Sequence, residues 1–297
     1  MPPDLPIPLW QVCMTALAAA WGACFGSFLN VCIYRIPHAL SVVRPRSHCP
    51  VCWSGIEWYD NIPVLSYLAL RGRCRHCLTH IAARYCLVEV LTAALFVLVW
   101  LKYGFHPGPR ALALVPITNL TLVPLYWLAA AGLVLGAFVD LDHMIIPDRV
   151  TLGGIAIGVV ASALVPSLHA QATWVGGLTA ALVGIAVSGG LLWAVALLGE
   201  AILRKEAMGL GDVKLLGAIG AFCGWHAGLF TIIVASALGS VMGITLTLLR
   251  RRKAGAQMPF GPYLAVAAMA WILWGARLWG LYDVLLARLS APSLAGL

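Results

Sequence analysis

The chain has 297 residues, of which 62% are hydrophobic and only 10% are charged, and its mean hydropathy is +0.93. These values exclude an ordinary soluble domain, because a fold of this length could not bury so much apolar surface. The net charge of +8 does not indicate a nucleic-acid partner, because the basic residues gather in alternate loops between apolar stretches.

About eight stretches are apolar enough to form membrane-spanning helices. A hydrocarbon core about 30 Å thick needs roughly 20 apolar residues per helix. Helices are expected because lipid cannot satisfy unpaired backbone groups and because we see no alternating β-barrel segments. The predicted spans are 10–34, 84–102, 120–140, 151–166, 174–198, 213–225, 228–249 and 261–281. The predicted fold is therefore an all-α, polytopic membrane helix bundle of about eight spans.

The loops between these spans alternate in charge. Seven arginines flank or occupy the first loop, and Arg149 lies in the third, whereas the loops at 167–173 and 226–227 have no Lys or Arg. Positive charge marks cytoplasmic loops of membrane proteins. We therefore expect the N-terminus outside and the odd-numbered loops in the cytosol.

The first loop contains two cysteine pairs, Cys49-Pro-Val-Cys52 and Cys74-Arg-His-Cys77, which are separated by 21 residues. This spacing is typical of a structural zinc site with four thiolate ligands, because two turns can each offer two sulfurs to a tetrahedron. A pair of disulfides is the alternative, but a cytosolic loop is kept reduced. The sequence thus predicts a small cytosolic zinc-binding loop domain, with Cys49, Cys52, Cys74 and Cys77 as metal ligands.

Two aspartates at the ends of predicted spans are candidate catalytic residues. Asp140 ends the third span and Asp212 opens the sixth, in Gly209-Leu210-Gly211-Asp212. Two spans separate them, so both belong to the cytosolic end of the bundle. Two carboxylates about 4 Å apart repel by roughly 4 kcal/mol at an effective dielectric near 20, so one of them should hold a proton. This is the arrangement of an aspartic protease, in which the charged partner activates a water molecule.

Other interpretations of the acidic residues stay open at this point. Asp142 is the rival for the first catalytic position, Asp212 could cap the sixth span, and Asp148 is expected to cap the fourth. Glu89, inside the second span, could pair with Arg84 or serve the site. Intramembrane aspartates also serve ion transport, so an ion-coupled transporter with a structural zinc loop is the alternative function.

The sequence resembles the bifunctional type IV prepilin peptidases, which are Gly-x-Gly-Asp aspartic membrane proteases. The matching motifs follow the same order along nearly the whole chain. They are Gly26 to Val31 with Arg35-Ile36-Pro37, the two cysteine pairs, Asn61 to Tyr67, Arg84-Tyr85 with Val88-Glu89, Asp140 to Asp148, Gly209 to Lys214, and Pro259 to Tyr263. One departure is Cys86, since proline usually follows Arg-Tyr in this family.

The resemblance implies a membrane endopeptidase that removes the basic leader of prepilins or pseudopilins after a glycine and then N-methylates the new N-terminal residue. The implied methyl donor is S-adenosylmethionine, the implied catalytic pair is Asp140 and Asp212, and Gly72 matches a glycine associated with methyl transfer. It also implies the bacterial inner membrane, with the active site at the cytosolic face and an indirect link to pilus or type II secretion machinery. Besides substrate, membrane lipid is the expected partner.

We expect three segments with different tasks. Residues 1–36 form the first span, and residues 37–82 form the cytosolic four-cysteine loop domain, which is also the expected methyl-transfer region. Residues 83–297 form the transmembrane aspartic peptidase core.

Overall fold

The computed structural model describes residues 9–104, 120–204, 208–249 and 258–290, and helices dominate these ranges. Their only β-structure is two isolated bridges, His48 to Gly55 and Arg73 to His80. The basic run 250–253 lies outside the described residues. The predicted all-α class is therefore confirmed.

The helices follow the predicted spans closely. They are α1 (Leu9–Arg35), α2 (Leu65–Ala69), α3 (Ala83–Val99, continued by a π-helical turn Trp100–Gly104), α4 (Leu122–His143), α5 (Asp148–Leu164), α6 (Trp174–Leu203), α7 (Leu210–Leu248) and α8 (Gly261–Ser290). Within the described ranges, five of these helices are long and apolar enough to cross a membrane, namely α1, α3 with its extension, α4, α6 and α7. The chain is thus a multi-pass membrane protein.

Helix α7 is broken at Gly224, whose backbone is non-helical at φ 79° and ψ 174°. A methyl group built on Gly220 would lie 2.7 Å from Ser188 Oγ, and one built on Gly228 would overlap the same oxygen. Eight residues of a straight helix span about 12 Å, so Gly220 and Gly228 could not both meet one hydroxyl unless the chain reversed. The two limbs of α7 therefore correspond to the separate spans predicted at 213–225 and 228–249.

Glycines allow neighbouring helices to approach closely, as is common in membranes. A methyl group on Gly26 of α1 would lie 2.6 Å from the Cα of Glu89 in α3. Gly184 of α6 packs directly against the Gly220 carbonyl of α7. Any larger residue at these positions would push the helices apart.

Helix α4 lies at the centre of the bundle. Its residues Leu133 and Tyr126 belong to the hydrophobic cluster formed with α5, α7 and α8, and Val134 and Val139 belong to a second cluster formed with α1 and α3. The last turn of α4 is therefore held from both sides, and this turn carries Asp140.

Candidate active site and metal centre

Asp140 lies in the last turn of α4 and is only 5% exposed. Its Oδ2 atom accepts a hydrogen bond of 2.8 Å from the backbone N–H of Gly261, the first residue of α8. The unpaired N–H groups at a helix N-terminus favour a negative group. Helix α8 therefore holds the carboxylate of Asp140 in one orientation and leaves its other oxygen available.

Asp212 lies in the first turn of α7, three residues after the N-cap Gly209. It is half-buried, and among the described residues its Oδ1 atom is buried without a hydrogen-bond partner. Asp212 therefore does not cap its helix through a side-chain hydrogen bond. A buried carboxylate oxygen without a partner usually has a ligand, water or catalytic role to explain it.

The helix ends that carry the two aspartates pack against each other. Ile146, in the turn between α4 and α5, is buried and lies 3.2 Å from a methyl group built on Gly211 and 3.7 Å from one built on Gly136. This side chain packs the start of α7 against the end of α4, which brings Asp212 towards Asp140.

The neighbouring acidic residues are engaged elsewhere. Asp142 forms an ion pair of 2.5 Å with Arg84, whose second terminal nitrogen donates a hydrogen bond to the Phe138 carbonyl. Asp142 therefore ties α4 to the start of α3 and is turned away from the pair. The predicted rival for the catalytic position is not supported by this geometry.

The expectation that Asp148 caps α5 was wrong, and one of the two alternatives for Glu89 is removed. Helix α5 has Pro147 as its N-cap, and Asp148 instead forms an ion pair of 2.7 Å with Lys214 of α7. Glu89 does not pair with Arg84, because its Oε2 atom accepts a hydrogen bond of 2.7 Å from the backbone N–H of Val64. Both contacts join segments that are far apart in sequence, so local patterns did not reveal them.

Gly261 is a site residue to which the sequence assigned no role. It stands in Pro259-Phe260-Gly261-Pro262-Tyr263, where a glycine before proline indicates a turn or a helix start. In the structure a methyl group at this position would lie 2.9 Å from Asp140 Oδ2 and 3.2 Å from its Cγ. Only glycine lets the helix N-terminus approach the carboxylate this closely.

We expect Gly261→Ala to lower catalysis about tenfold to a hundredfold, because the added methyl group must displace the Asp140 carboxylate, and small misplacements of catalytic groups cost about this much. The measurement is the turnover number of the purified variant. Gly190→Ala is the matched control, since Gly190 has open space around its Cα. Equal activity of the two variants would contradict a role for this contact.

The four predicted metal ligands lie together in the loop between α1 and α3. Their sulfur atoms are all within 4.8 Å of one another, with 3.7 Å between Cys49 and Cys77 and 4.0 Å between Cys52 and Cys74. A zinc–sulfur bond of about 2.3 Å gives a tetrahedron whose sulfurs are roughly 3.8 Å apart. The cluster therefore fits a tetrahedral four-thiolate ion, and all four thiols are free rather than joined as disulfides.

The two cysteine turns have the same backbone geometry. The amide of Cys49 donates to the Ser54 carbonyl, and the amide of Cys74 donates to the Thr79 carbonyl, each over 2.9 Å. Trp53 and Leu78, the residues after the second cysteine of each pair, both have positive φ, at 59° and 57°. Two equivalent turns thus present two sulfurs each to a common centre.

Hydrogen bonds favour the thiolate form of one cysteine in each turn, whereas at Cys77 a backbone hydrogen bond with Thr79 lowers the pKa but desolvation and the neighbouring thiols raise it to about 12. Contacts with the Ser54 side chain and backbone lower the pKa of the Cys52 thiol to about 6. The backbone amides of Cys77 and His76 lower the pKa of Cys74. Deprotonated sulfur is the form that binds a metal cation.

Gly72 lies at a bend just before the second cysteine pair and is buried. Its φ of +66° is unfavourable for other residues, and a methyl group there would lie 2.9 Å from the Tyr67 hydroxyl oxygen. The Tyr67 carbonyl accepts its N–H, and its own carbonyl accepts the N–H of Ile81. Gly72 therefore shapes the backbone of the loop and has no side chain with which to contact a cofactor.

Two family models match the chain. Residues 20–103 match the bacterial peptidase A24 N-terminal domain, and residues 127–244 match the type IV leader peptidase family. The first match covers α1, the cysteine loop and α3. The second covers most of the bundle that carries Asp140 and Asp212.

Curated relatives match over most of their length. A prepilin leader peptidase/N-methyltransferase of Pseudomonas putida is 36% identical over 281 residues, covering 87% of this chain and 90% of the relative. The protein of the same name from Aeromonas hydrophila is 38% identical over 274 residues, covering 84% and 87%, and that of Pseudomonas aeruginosa is 36% identical over 278 residues, covering 86% and 88%. No solved structure matches the chain. Nothing in these similarities favours the ion-coupled transporter.

Proposed function

The chain belongs to the prepilin leader peptidase/N-methyltransferase family, and from this premise we propose that Asp140 and Asp212 form its catalytic pair. The observation that carries the proposal is the packing of buried Ile146 between the start of α7, which carries Asp212, and the end of α4, which carries Asp140. Of the acidic side chains near the end of α4, Asp142 and Asp148 are held in ion pairs, whereas one buried oxygen of Asp212 has no hydrogen-bond partner in the described part of the chain.

The enzyme is a membrane aspartic endopeptidase with an N-methyltransferase activity, and its substrates are prepilins or pseudopilins. In the cleavage step the charged carboxylate takes a proton from water, and the water oxygen attacks the scissile carbonyl carbon. The protonated partner donates a hydrogen bond to the carbonyl oxygen. The carbon–nitrogen bond then breaks, and the departing nitrogen receives a proton to become the new α-amine.

The N–H of Gly261 has a positioning role in this scheme. It donates a hydrogen bond of 2.8 Å to the Oδ2 atom of Asp140. In the proposed site the second carboxylate oxygen of Asp140 therefore faces Asp212 and the substrate. A fixed orientation reduces the reorganisation needed in the transition state.

We propose that the four cysteines hold a structural zinc ion. A closed set of four thiolates leaves no position for substrate, so the ion would hold the loop domain, residues 37–82, in its folded shape. The peptidase core at 83–297 and the first span at 1–36 complete the proposed organisation.

For the methyl transfer we propose S-adenosylmethionine as donor, since the relatives are named N-methyltransferases. The donor supplies a methyl group to the unprotonated α-amine made by cleavage. Gly72 does not fit direct contact with the donor because it is buried against Tyr67. We therefore propose that Gly72 acts on the shape of the loop.

The proposed location is the bacterial inner membrane, with the catalytic pair at the cytosolic face. Arg35, Arg84 and Lys214 lie at the helix ends that surround the pair, and this positive charge supports a cytosolic orientation. A basic leader on that side would reach the pair without crossing the bilayer.

The proposed function is tested with the full chain, purified and placed in lipid vesicles with a prepilin and a methyl-labelled donor. We expect a shortened pilin that carries the label on its new N-terminal residue. Methylation must follow cleavage, because the accepting amine exists only afterwards. Label on uncleaved prepilin, or no cleavage at all, would contradict the proposal.

A further inference from the structure

The short helix α2 and the turn after it carry an exposed surface that the cleavage chemistry does not use. Leu65 and Leu68, three residues apart on one face of α2, are 64% and 63% exposed, while Ser66 between them is buried. The two leucines form a small apolar surface on one side of this short helix.

The position of α2 relative to the bilayer follows from one hydrogen bond. The N–H of Val64, the residue before α2, donates to Glu89 Oε2 over 2.7 Å. Glu89 is the seventh residue of α3, about 9 Å along the axis from its first residue. Helix α3 with its extension is a membrane-spanning candidate, so Val64 at the start of α2 lies beside the first turns of that span.

A cleft of about 430 Å³ follows α2 directly and is rich in arginine. It is lined by Leu70, Arg71, Arg73, Cys74, Arg75 and Leu78. Arg75 is occupied by a bidentate ion pair with Asp60, with distances of 2.5 and 2.7 Å. Arg71 and Arg73 are exposed, and no acidic side chain within the described ranges pairs with either.

The chemistry of this cleft selects an anion. The planar guanidinium group of arginine matches the spacing of phosphate oxygens. Each of the two guanidinium groups can donate two hydrogen bonds to a phosphate group. S-adenosylmethionine carries a net positive charge and a prepilin leader is basic, so the guanidinium groups of Arg71 and Arg73 would repel both. A ligand that combines a phosphate with an adjoining apolar part fits both the arginines and the exposed leucines.

We propose that α2 and the arginine cleft bind the headgroups of anionic phospholipids in the membrane that holds the chain. Leu65 and Leu68 enter the boundary of the acyl region, and Arg71 and Arg73 contact the phosphates above them. Because Cys74 lies in the same cleft, this contact also sets the height of the cysteine cluster above the bilayer.

The test is native mass spectrometry of the full chain in detergent, titrated with phosphatidylglycerol or phosphatidylcholine. We expect tighter retention of phosphatidylglycerol by the wild type. Arg71→Gln with Arg73→Gln should weaken it roughly 30-fold, from the usual contribution of two basic residues near an anionic surface. Leu65→Ser with Leu68→Ser should weaken phosphatidylglycerol retention without changing the binding of inorganic phosphate.

Arg44→Gln with Arg46→Gln is the charge-matched control in the same loop, and the metal content of every variant shows whether the loop domain is folded. An equal loss in this control would overturn the proposed site. Displacement of the lipid by inorganic phosphate at equal concentration would identify a site for free anions instead. Displacement by soluble polyglutamate would identify a surface for acidic peptides, and either result overturns the lipid assignment.

Discussion

Replacing either Asp140 or Asp212 by Asn is expected to lower the rate of prepilin cleavage by about 10²–10⁴-fold. Asparagine has nearly the same size as aspartate but can neither take a proton from water nor share one with its partner. In Asp140→Asn the acceptor oxygen for the Gly261 N–H can be kept, so the helix contact survives while the chemistry is lost. The measurement is the initial rate of leader release by the purified variant in vesicles.

The matched control for this pair is Asp142→Asn. It lies two residues from Asp140, is exposed and is held by Arg84 outside the catalytic pair. An exposed ion pair contributes little to the stability of a protein. We therefore expect the cleavage rate of this variant to change by only a few-fold. Wild-type cleavage in Asp140→Asn or Asp212→Asn, or a loss in Asp142→Asn as large as theirs, would show that the catalytic pair is assigned wrongly.

Replacing Cys49 by Ser is the second change with a large expected effect. Removal of one of four sulfur ligands should lower zinc affinity by more than about 100-fold, because even the loss of an outer partner costs 10–100-fold. The loop domain has little hydrophobic core of its own, with Cys49 among its few buried residues, so its fold should depend on the ion. We expect methylation to fall more than cleavage, since the proposed catalytic aspartates, Asp140 and Asp212, lie on the membrane helices.

Zinc content per chain and the two reaction rates are measured side by side for this variant. Cys13→Ser is the control, because Cys13 is an exposed thiol on α1 outside the cluster. Equal zinc in Cys49→Ser and the wild type would remove the proposed metal site. Loss of zinc with unchanged methylation would separate the loop domain from methyl transfer.

The spans could be predicted because lipid imposes a simple rule on composition. A helix that crosses the bilayer must be apolar over its whole length, and this property is visible without knowledge of its neighbours. Even the break at Gly224 was anticipated, since the limits 213–225 and 228–249 left a short gap there. The cysteine spacing was equally informative, because two sulfurs in one turn already restrict the geometry.

The partners of individual charges could not be predicted in the same way. Asp148 was expected to cap α5, but Lys214 of α7 lies within 2.7 Å and pairs with it. Pairing with Arg84 was one of two alternatives for Glu89, but its carboxylate accepts a hydrogen bond from the backbone N–H of Val64 instead. These choices depend on how helices distant in sequence are rotated and how closely they pack.

By itself the sequence determined the multi-pass membrane class, the approximate limits of the helices, the four cysteines that lie together and the two aspartates at helix ends on one side. Each of these follows from local composition, from the spacing of residues, or from the even number of predicted spans that separates the two aspartates. Only the tertiary structure decided that Gly261 holds Asp140, that Arg84 removes Asp142 from the site, and that Asp212 keeps an unpaired oxygen. Such contacts form where helix ends meet. A hydrogen bond forms there only when the donor–acceptor distance and the angle at the hydrogen are both suitable, and both depend on how the helices pack.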